Sequence, residues 1–357
     1  MKNKKLLYIH IPFCDSKCNY CAFNSYTNIN HLKKEYFDAI KTQFLHDVTS
    51  DTCFETLFIG GGTPSVMNVS FYEKLFNLIS PHLKNTREIT IECNPNTSFE
   101  WLRGIKNLGI NRISFGVQSF NEKKLKFLNR NHSPKQAVKA IKNAFKAGFE
   151  NINLDLIYST SMDTKALLNS DLQTAFSLPV KHISAYSLII EKNTKWERDY
   201  SKRKYDEELE IWFIEKIKEK FTQYEISNFG KACQHNMGYW MGKEYTGIGA
   251  GAVGFVNNEK CKIKNEKFRY YTQNNVYEYL KNPIKYEYEY LSNDDIKKEK
   301  VFLGLRSIIG FNENILNDKE KKRVAILISE KKIYKQENKI YSYDFLLADA
   351  ITSYILN

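Results

Sequence analysis

Between Leu6 and Leu188 the chain repeats one pattern: a short run of β-branched or aromatic residues, then a longer stretch whose apolar side chains recur at helical spacing. The runs Leu6–Ile11, Thr56–Ile59, Glu88–Glu92, Asn111–Gly116, Asn151–Ile157 and His182–Leu188 read as strands. Intervening stretches such as His31–His46, Phe71–His82, Pro134–Ala147 and Thr164–Phe176 read as helices. Strands separated by helices of this length return to one sheet through right-handed crossovers, which makes the sheet parallel. Six such units fall short of the eight that close a full barrel. The pattern therefore implies an α/β fold, an open partial (β/α)6 barrel whose working face lies where the strands' C-terminal ends converge.

From Asn293 the pattern changes to two helices, a short hairpin around Lys332–Ser342 and a last helix over Tyr343–Leu356, the layout of a small winged-helix-like α+β domain. The chain thus divides into a barrel over 1–230, a connecting segment over 231–292 and a C-terminal module over 293–357. With 357 residues, 42% of them hydrophobic, it can build one large core and a smaller one. The net charge of +12 is spread over lysines interleaved with acidic residues, which points to a solvated surface and to no specific nucleic acid. No apolar run of about 18 residues occurs, so no membrane span is expected. The start MKNKKLLYIHIPF is interrupted by His10 and Pro12 and leads to no small-residue cleavage site, which favours a cytoplasmic address.

Three of the seven cysteines, Cys14, Cys18 and Cys21, crowd into the loop after the first strand at C-x3-C-x2-C spacing. Cys53, Cys93, Cys233 and Cys261 stand alone and read as buried bystanders. Short-spaced thiolates can wrap one corner of an iron–sulfur cube, ligating three irons and leaving the fourth open. An open iron can chelate the amine and carboxylate of an amino acid. A zinc site of three cysteines with His10 or His31 is the alternative, but zinc ribbons pair two C-x2-C knuckles and a second knuckle is missing.

The segment Tyr8-Ile-His-Ile-Pro-Phe-Cys14-Asp-Ser-Lys-Cys18-Asn-Tyr20-Cys21-Ala-Phe23 resembles the radical S-adenosylmethionine (SAM) family, in its branch of oxygen-independent coproporphyrinogen III oxidases and related heme chaperones. The likeness extends over nearly the whole chain. It implies a 4Fe-4S cluster on Cys14, Cys18 and Cys21. It also implies SAM held by Tyr8, Tyr20, Gly61, Gly62, Thr63, Glu92, Gln118, Arg130, Asp155 and Ser187. In such proteins electron transfer to the sulfonium releases a 5′-deoxyadenosyl radical. Gly60-Gly61-Gly62-Thr63-Pro64 follows the second strand, and Glu92, Gln118, Asp155 and Ser187 stand near the ends of four further strands, where polar groups point into a barrel mouth. A guanidinium at Arg130 suits the cofactor's carboxylate.

Within the branch, the oxidase has a fourth cysteine where Phe23 stands here and a longer segment ahead of the motif, so the resemblance favours the heme chaperone. Gln234-His235-Asn236-Met237-Gly238-Tyr239-Trp240 is similar to that branch's H-N-x-x-Y-W motif and implies heme on His235. Heme, an acceptor protein for it and an electron donor for the cluster are the partners implied. Porphyrinogen decarboxylation is the rival activity, and a radical methyltransferase or a tetrapyrrole-opening enzyme is a third. Two departures stand out: Ser159-Thr160-Ser161 replaces Gly-Leu-Pro, which is expected to loosen the rim loop, and Gly251-Ala252-Val253 replaces Gly-Ala-His, which removes that histidine.

Overall fold

A computed structural model describes residues 4–257 and 267–357. Cys261 lies outside the described residues. The six expected strands form as β1 (Lys4–Ile11), β2 (Cys53–Gly61), β3 (Glu88–Cys93), β4 (Arg112–Gln118), β5 (Asn151–Tyr158) and β6 (His182–Ser187), adjacent in that order and all parallel. Ile113, Phe115, Ile152, Leu154 and Ile183 are fully buried, as strands of a parallel sheet covered by helices must be.

The crossovers are α1 (Lys33–Asp47), α2 (Val69–Ile79), α3 (Phe99–Asn107), the pair α4 (Glu122–Phe127) and α5 (Pro134–Lys146), and α6 (Lys165–Phe176). Their starts are set locally: the side chains of Asn68, Ser98, Asn121 and Thr164 each accept a backbone N–H of the first turn, and Ser133 with Gln136 closes a capping box ahead of Pro134. After α7 (Glu207–Lys218) come the short strands β7 (Gln223–Glu225) and β8 (Asn228–Gly230), of which β8 adds antiparallel to β6 and β7 antiparallel to β8.

The segment 231–292, read from the sequence as a connection, extends the sheet at its opposite edge. It opens with α8 (Gln234–Trp240), after which β9 (Tyr245–Ile248) lies parallel to β1 and raises the parallel strands to seven. Beyond it come the antiparallel β10 (Val253–Asn257) and β11 (Lys267–Thr272) and, after α9 (Val276–Lys281), β12 (Tyr286–Leu291), completing a twelve-stranded sheet. Gly247 faces the Val253 carbonyl so closely that a Cβ would sit 2.0 Å from that oxygen, which is why this strand reads as Tyr-Thr-Gly-Ile rather than as a hydrophobic run.

The C-terminal module holds α10 (Asn293–Leu305), β13 (Phe311–Asn312), α11 (Asp318–Ser329), the hairpin β14 (Ile333–Gln336) and β15 (Lys339–Ser342), and α12 (Ala348–Leu356). Its separate three-stranded antiparallel sheet and its own core, around Val301, Leu305, Val324, Leu327 and Ile351, form a small α+β unit. Two backbone bonds tie it to the barrel, Ile226 N–H to Arg306 O at 2.9 Å and Ile308 N–H to Tyr224 O at 3.0 Å.

Candidate functional site

The cysteine loop is fastened before any cofactor enters. Cys14 N–H donates to Tyr26 O at 2.9 Å, and Tyr26 N–H returns to Pro12 O at 2.8 Å. Lys17 Nζ caps the loop's inside through Ser25 Oγ at 2.7 Å and Phe23 O at 2.8 Å. From the far side, Asn129 Nδ2 reaches Lys17 O at 2.7 Å. Cys14 is buried and Cys18 and Cys21 are half-buried. Burial pushes the Cys14 and Cys21 thiols up, so their thiolates are disfavoured until cations such as cluster irons compensate the charge.

Among the described residues no three His, Cys, Asp or Glu side chains converge on one ion. The zinc alternative also lacks its fourth ligand at His10, whose ring nitrogens lie 2.9 Å from Tyr8 Oη and 2.8 Å from Asn24 O. A cube of iron and sulfide needs its thiolates spread around it, and the loop leaves that room. A Cβ at Gly62 would stand 3.0 Å from Cys14 Sγ and 2.8 Å from Phe13 O, so the residue without a side chain keeps the cradle open.

The loop borders a cavity of about 350 Å³ in the barrel mouth. Cys14, Cys18, Cys21, Tyr20, Gly61, Gly62, Thr63, Glu92, Gln118, Arg130, Asp155 and Ser187, twelve of the fourteen residues expected from sequence, all line it. Gly61 N–H donates to Glu92 Oε2 at 3.1 Å, and Asn153 Nδ2 to Asp155 Oδ1 at 2.7 Å. Burial and the neighbouring Asp155 raise the Glu92 pKa to about 8. Gln118 sits at φ +68°, a conformation costly for its residue type, and its Oε1 is buried without a partner in a wall of this cavity. Arg130 donates to Cys18 Sγ, to Asn94 Oδ1 and to Gly116 O, at 3.1, 2.8 and 2.6 Å. An unmet amide oxygen, two carboxyls and a guanidinium around one hollow fit a polar nucleoside carrying an amino-acid end.

The rim loop that was expected to be loose is pinned instead. Ser159 takes φ +63°, where a glycine would be unstrained, and its hydroxyl donates to Glu210 while receiving one from Ser187, at 2.7 and 3.0 Å. Thr160 N–H adds a bond to Asp163 Oδ2 at 2.8 Å.

Two expected residues stay out of the mouth. Tyr8 lines a second, larger cleft of about 1200 Å³ on the other side of the cysteine loop. His235 lines neither cavity. It is wholly buried, its Nδ1 lies 2.7 Å from Thr56 Oγ1 and its Nε2 2.8 Å from Tyr239 Oη. Burial, with Arg112 nearby, pushes its pKa down to about 3, so the imidazole is neutral and both nitrogens are engaged. The expectation of His235 as a direct heme ligand therefore does not match its place in the fold.

Sequence reading also missed residues. Asn94, Arg112, Asn153 and Ser184 line the mouth, and Asn236 reaches it from α8. Asn94 and Asn153 sit within two residues of Glu92 and Asp155, a proximity that could have flagged them. Arg112 opens its strand at the end remote from the loops, and nothing in its local sequence marks it.

An open parallel barrel with three thiols in the loop after its first strand defines a radical SAM protein, and the Radical SAM superfamily profile matches residues 8–170. The chain is 34% identical to the heme chaperone HemW of Bacillus subtilis (strain 168), covering 88% of this chain and 86% of that protein. It is 32% identical to the heme chaperone HemW of Lactococcus lactis subsp. lactis (strain IL1403), covering 94% and 93%. The chain belongs to the HemW family. In fold it is similar to the coproporphyrinogen III oxidase HemN of Escherichia coli, a radical SAM enzyme, with a TM-score of 0.82 over 99% of this chain and 90% of that one at 19% identity.

Proposed function

We propose that this chain is a heme chaperone: it takes up heme and passes it to an acceptor protein, while Cys14, Cys18 and Cys21 hold a 4Fe-4S cluster with SAM beside it. The observation that carries the reading is family membership across most of the chain's length, at 32% and 34% identity, with proteins that are heme chaperones. Two cavities that share the cysteine loop residues Lys17, Ala22, Phe23 and Ser25 suit a division of labour in which cofactor and cargo would lie on either side of the loop.

Within the mouth, Gly61, Gly62 and Thr63 offer backbone approach to the methionyl end of SAM. Glu92, Gln118, Asp155 and Ser187 meet its polar edges, Tyr20 packs beside the cluster against Trp196, and Arg130 braces Cys18 while offering charge to the cofactor's carboxylate. The bound cluster supplies one-electron chemistry, for which an electron donor is required. Among the described residues no helix is long and apolar enough to cross a membrane, and we place the chaperone in the cytoplasm.

Phe23, 71% exposed, stands where the oxidase has a further cysteine, which speaks against the rival activity. Anaerobic reconstitution of the cluster followed by parallel assays separates the two. Stoichiometric hemin uptake without turnover of coproporphyrinogen III supports the chaperone, and SAM-dependent turnover overturns it.

A further inference from the structure

The placement of His235 leaves the H-N-x-x-Y-W-like motif without an obvious ligand, and the next turn of α8 supplies one. Tyr239 lies four residues on, on the same helix face, with its ring edge-on to the imidazole at 4.8 Å between centroids. It is half-buried, and it lines the large cleft that His235 does not reach. The barrel side of that cleft continues through Met241, Tyr245 and Phe255, with Tyr239 and Tyr245 in edge contact at 4.7 Å. Leu303 and Phe311 of the C-terminal module face them.

The cleft's dimensions and chemistry select its occupant. Its volume of about 1200 Å³ lies just above the ~300–1,000 Å³ range of ligand pockets, and its walls combine aromatic and aliphatic side chains with polar and charged ones such as Asn24, Arg269 and Glu299. Exposed Lys300, which forms no ion pair among the described residues, and Lys339, which bonds the Ile309 carbonyl at 3.1 Å, lie among its lining residues. A broad slot with aromatic faces on its walls and cations among its lining residues suits a flat macrocycle bearing carboxylates, which is the chemistry of heme.

We propose that heme sits in this cleft with its ferric iron on Tyr239 Oη, and that His235 is a positioning residue acting through that oxygen. The inference rests on the heme-chaperone reading and adds where, and on which atom, the cargo is held. Tyrosine oxygen is an established axial ligand of heme iron. When the Fe–O bond forms, the phenol O–H bond breaks and its proton leaves to the solvent of the cleft. The buried imidazole stays neutral: a phenolate oxygen can only accept, so the proton of His235 sits on Nε2, 2.8 Å from that oxygen, and Nδ1 then accepts from Thr56 Oγ1 at 2.7 Å. The buried histidine thus fixes the direction of the ligand without touching the cargo.

The test titrates hemin into the full-length, cluster-reconstituted protein and its Tyr239→Phe, His235→Gln and Met241→Ala variants, with affinity from absorbance and ligation from resonance Raman spectroscopy. Tyr239→Phe removes one oxygen and preserves the ring packing. We expect phenolate modes in the wild type that vanish in Tyr239→Phe with at least a tenfold loss of affinity. His235→Gln, which keeps an N–H donor, should retain phenolate ligation at shifted frequency, and Met241→Ala, which trims the cleft wall, should lower affinity while keeping phenolate ligation. A double Lys300→Glu, Lys339→Glu variant on the exposed rim should weaken uptake without changing the ligand. Imidazole or thioether ligation in the wild type, or hemin uptake by Tyr239→Phe with an unaltered spectrum, overturns the assignment while leaving the chaperone reading in place. Failure of the wild type to take up hemin at all overturns both.

Discussion

Arg130 Nη1 lies 3.1 Å from Cys18 Sγ, joining the turn after α4 to a cysteine 112 positions earlier in the chain. The same guanidinium holds Asn94 Oδ1 and Gly116 O, so a single side chain links the cluster loop to the ends of β3 and β4. Its planar fork spreads these three bonds over Nη1 and Nη2 in a fixed geometry, a span that the single nitrogen of an ammonium does not provide.

Arg130→Lys is therefore expected to weaken SAM binding by about tenfold or more, the scale of a lost charge-assisted hydrogen bond. Calorimetric titration of SAM into the anaerobic, reconstituted variant measures it. Unchanged affinity would show that Arg130 braces the loop and does not contribute to the cofactor site.

Glu92 gives the fold a pH dependence. Its carboxyl titrates near about 8 in the folded chain and near the ordinary 4.5 when unfolded, so between those values the folded protein holds a proton that the unfolded chain has released. The stability associated with that proton is complete below the lower value and is lost as pH rises through the upper one. Glu92→Gln, neutral throughout, should be more stable than the wild type near about pH 9 and should lose that advantage toward about pH 5, as urea unfolding of the SAM-free protein would show. An equal difference at both pH values contradicts the assignment.

Lys124 and Asp163 form an ion pair at 2.6 Å with both side chains fully buried, and Lys124 Nζ also donates to Ile157 O at 2.6 Å. Asp163 in turn accepts Thr160 N–H, so the pair anchors the rim loop that carries Ser159. Lys124→Met leaves a buried carboxylate unpaired and is expected to cost about 3–5 kcal/mol, whereas Lys124→Met with Asp163→Leu should recover much of that loss. Denaturant midpoints of the two variants decide it, and a double variant no more stable than the single would count against the pairing argument.

The parallel core was legible because each of β1 to β6 carries an apolar run, continuous as in Leu57-Phe58-Ile59 of β2 or broken by alternate polar residues as in Asn151-Ile152-Asn153-Leu154 of β5, between helical stretches. The cofactor mouth was legible for a related reason: Glu92, Gln118, Asp155 and Ser187 interrupt or close those runs at the loop end, where a polar group has nothing to gain from the core. Strand β9 was hidden, since its four residues include Gly247, needed for close approach to Val253 and carrying no hydrophobic signal. The position of His235 was hidden as well. Its burial depends on Thr56, 179 residues away, and local sequence shows a histidine flanked by aromatics without saying which of them faces a cavity. For the same reason the rim loop looked weaker in sequence than it is, because Glu210 and Ser187, which tie Ser159 down, lie 51 and 28 residues beyond it.

The central claim is that Cys14, Cys18 and Cys21 hold a 4Fe-4S cluster whose remaining iron is open to SAM. Electron paramagnetic resonance of the reconstituted, reduced protein, recorded with and without SAM, tests it most directly. The account predicts a reduced-cluster signal that SAM shifts, and loss of that signal in Cys18→Ala. A protein carrying stoichiometric zinc in place of iron and sulfide, or a cluster signal indifferent to SAM, would contradict it.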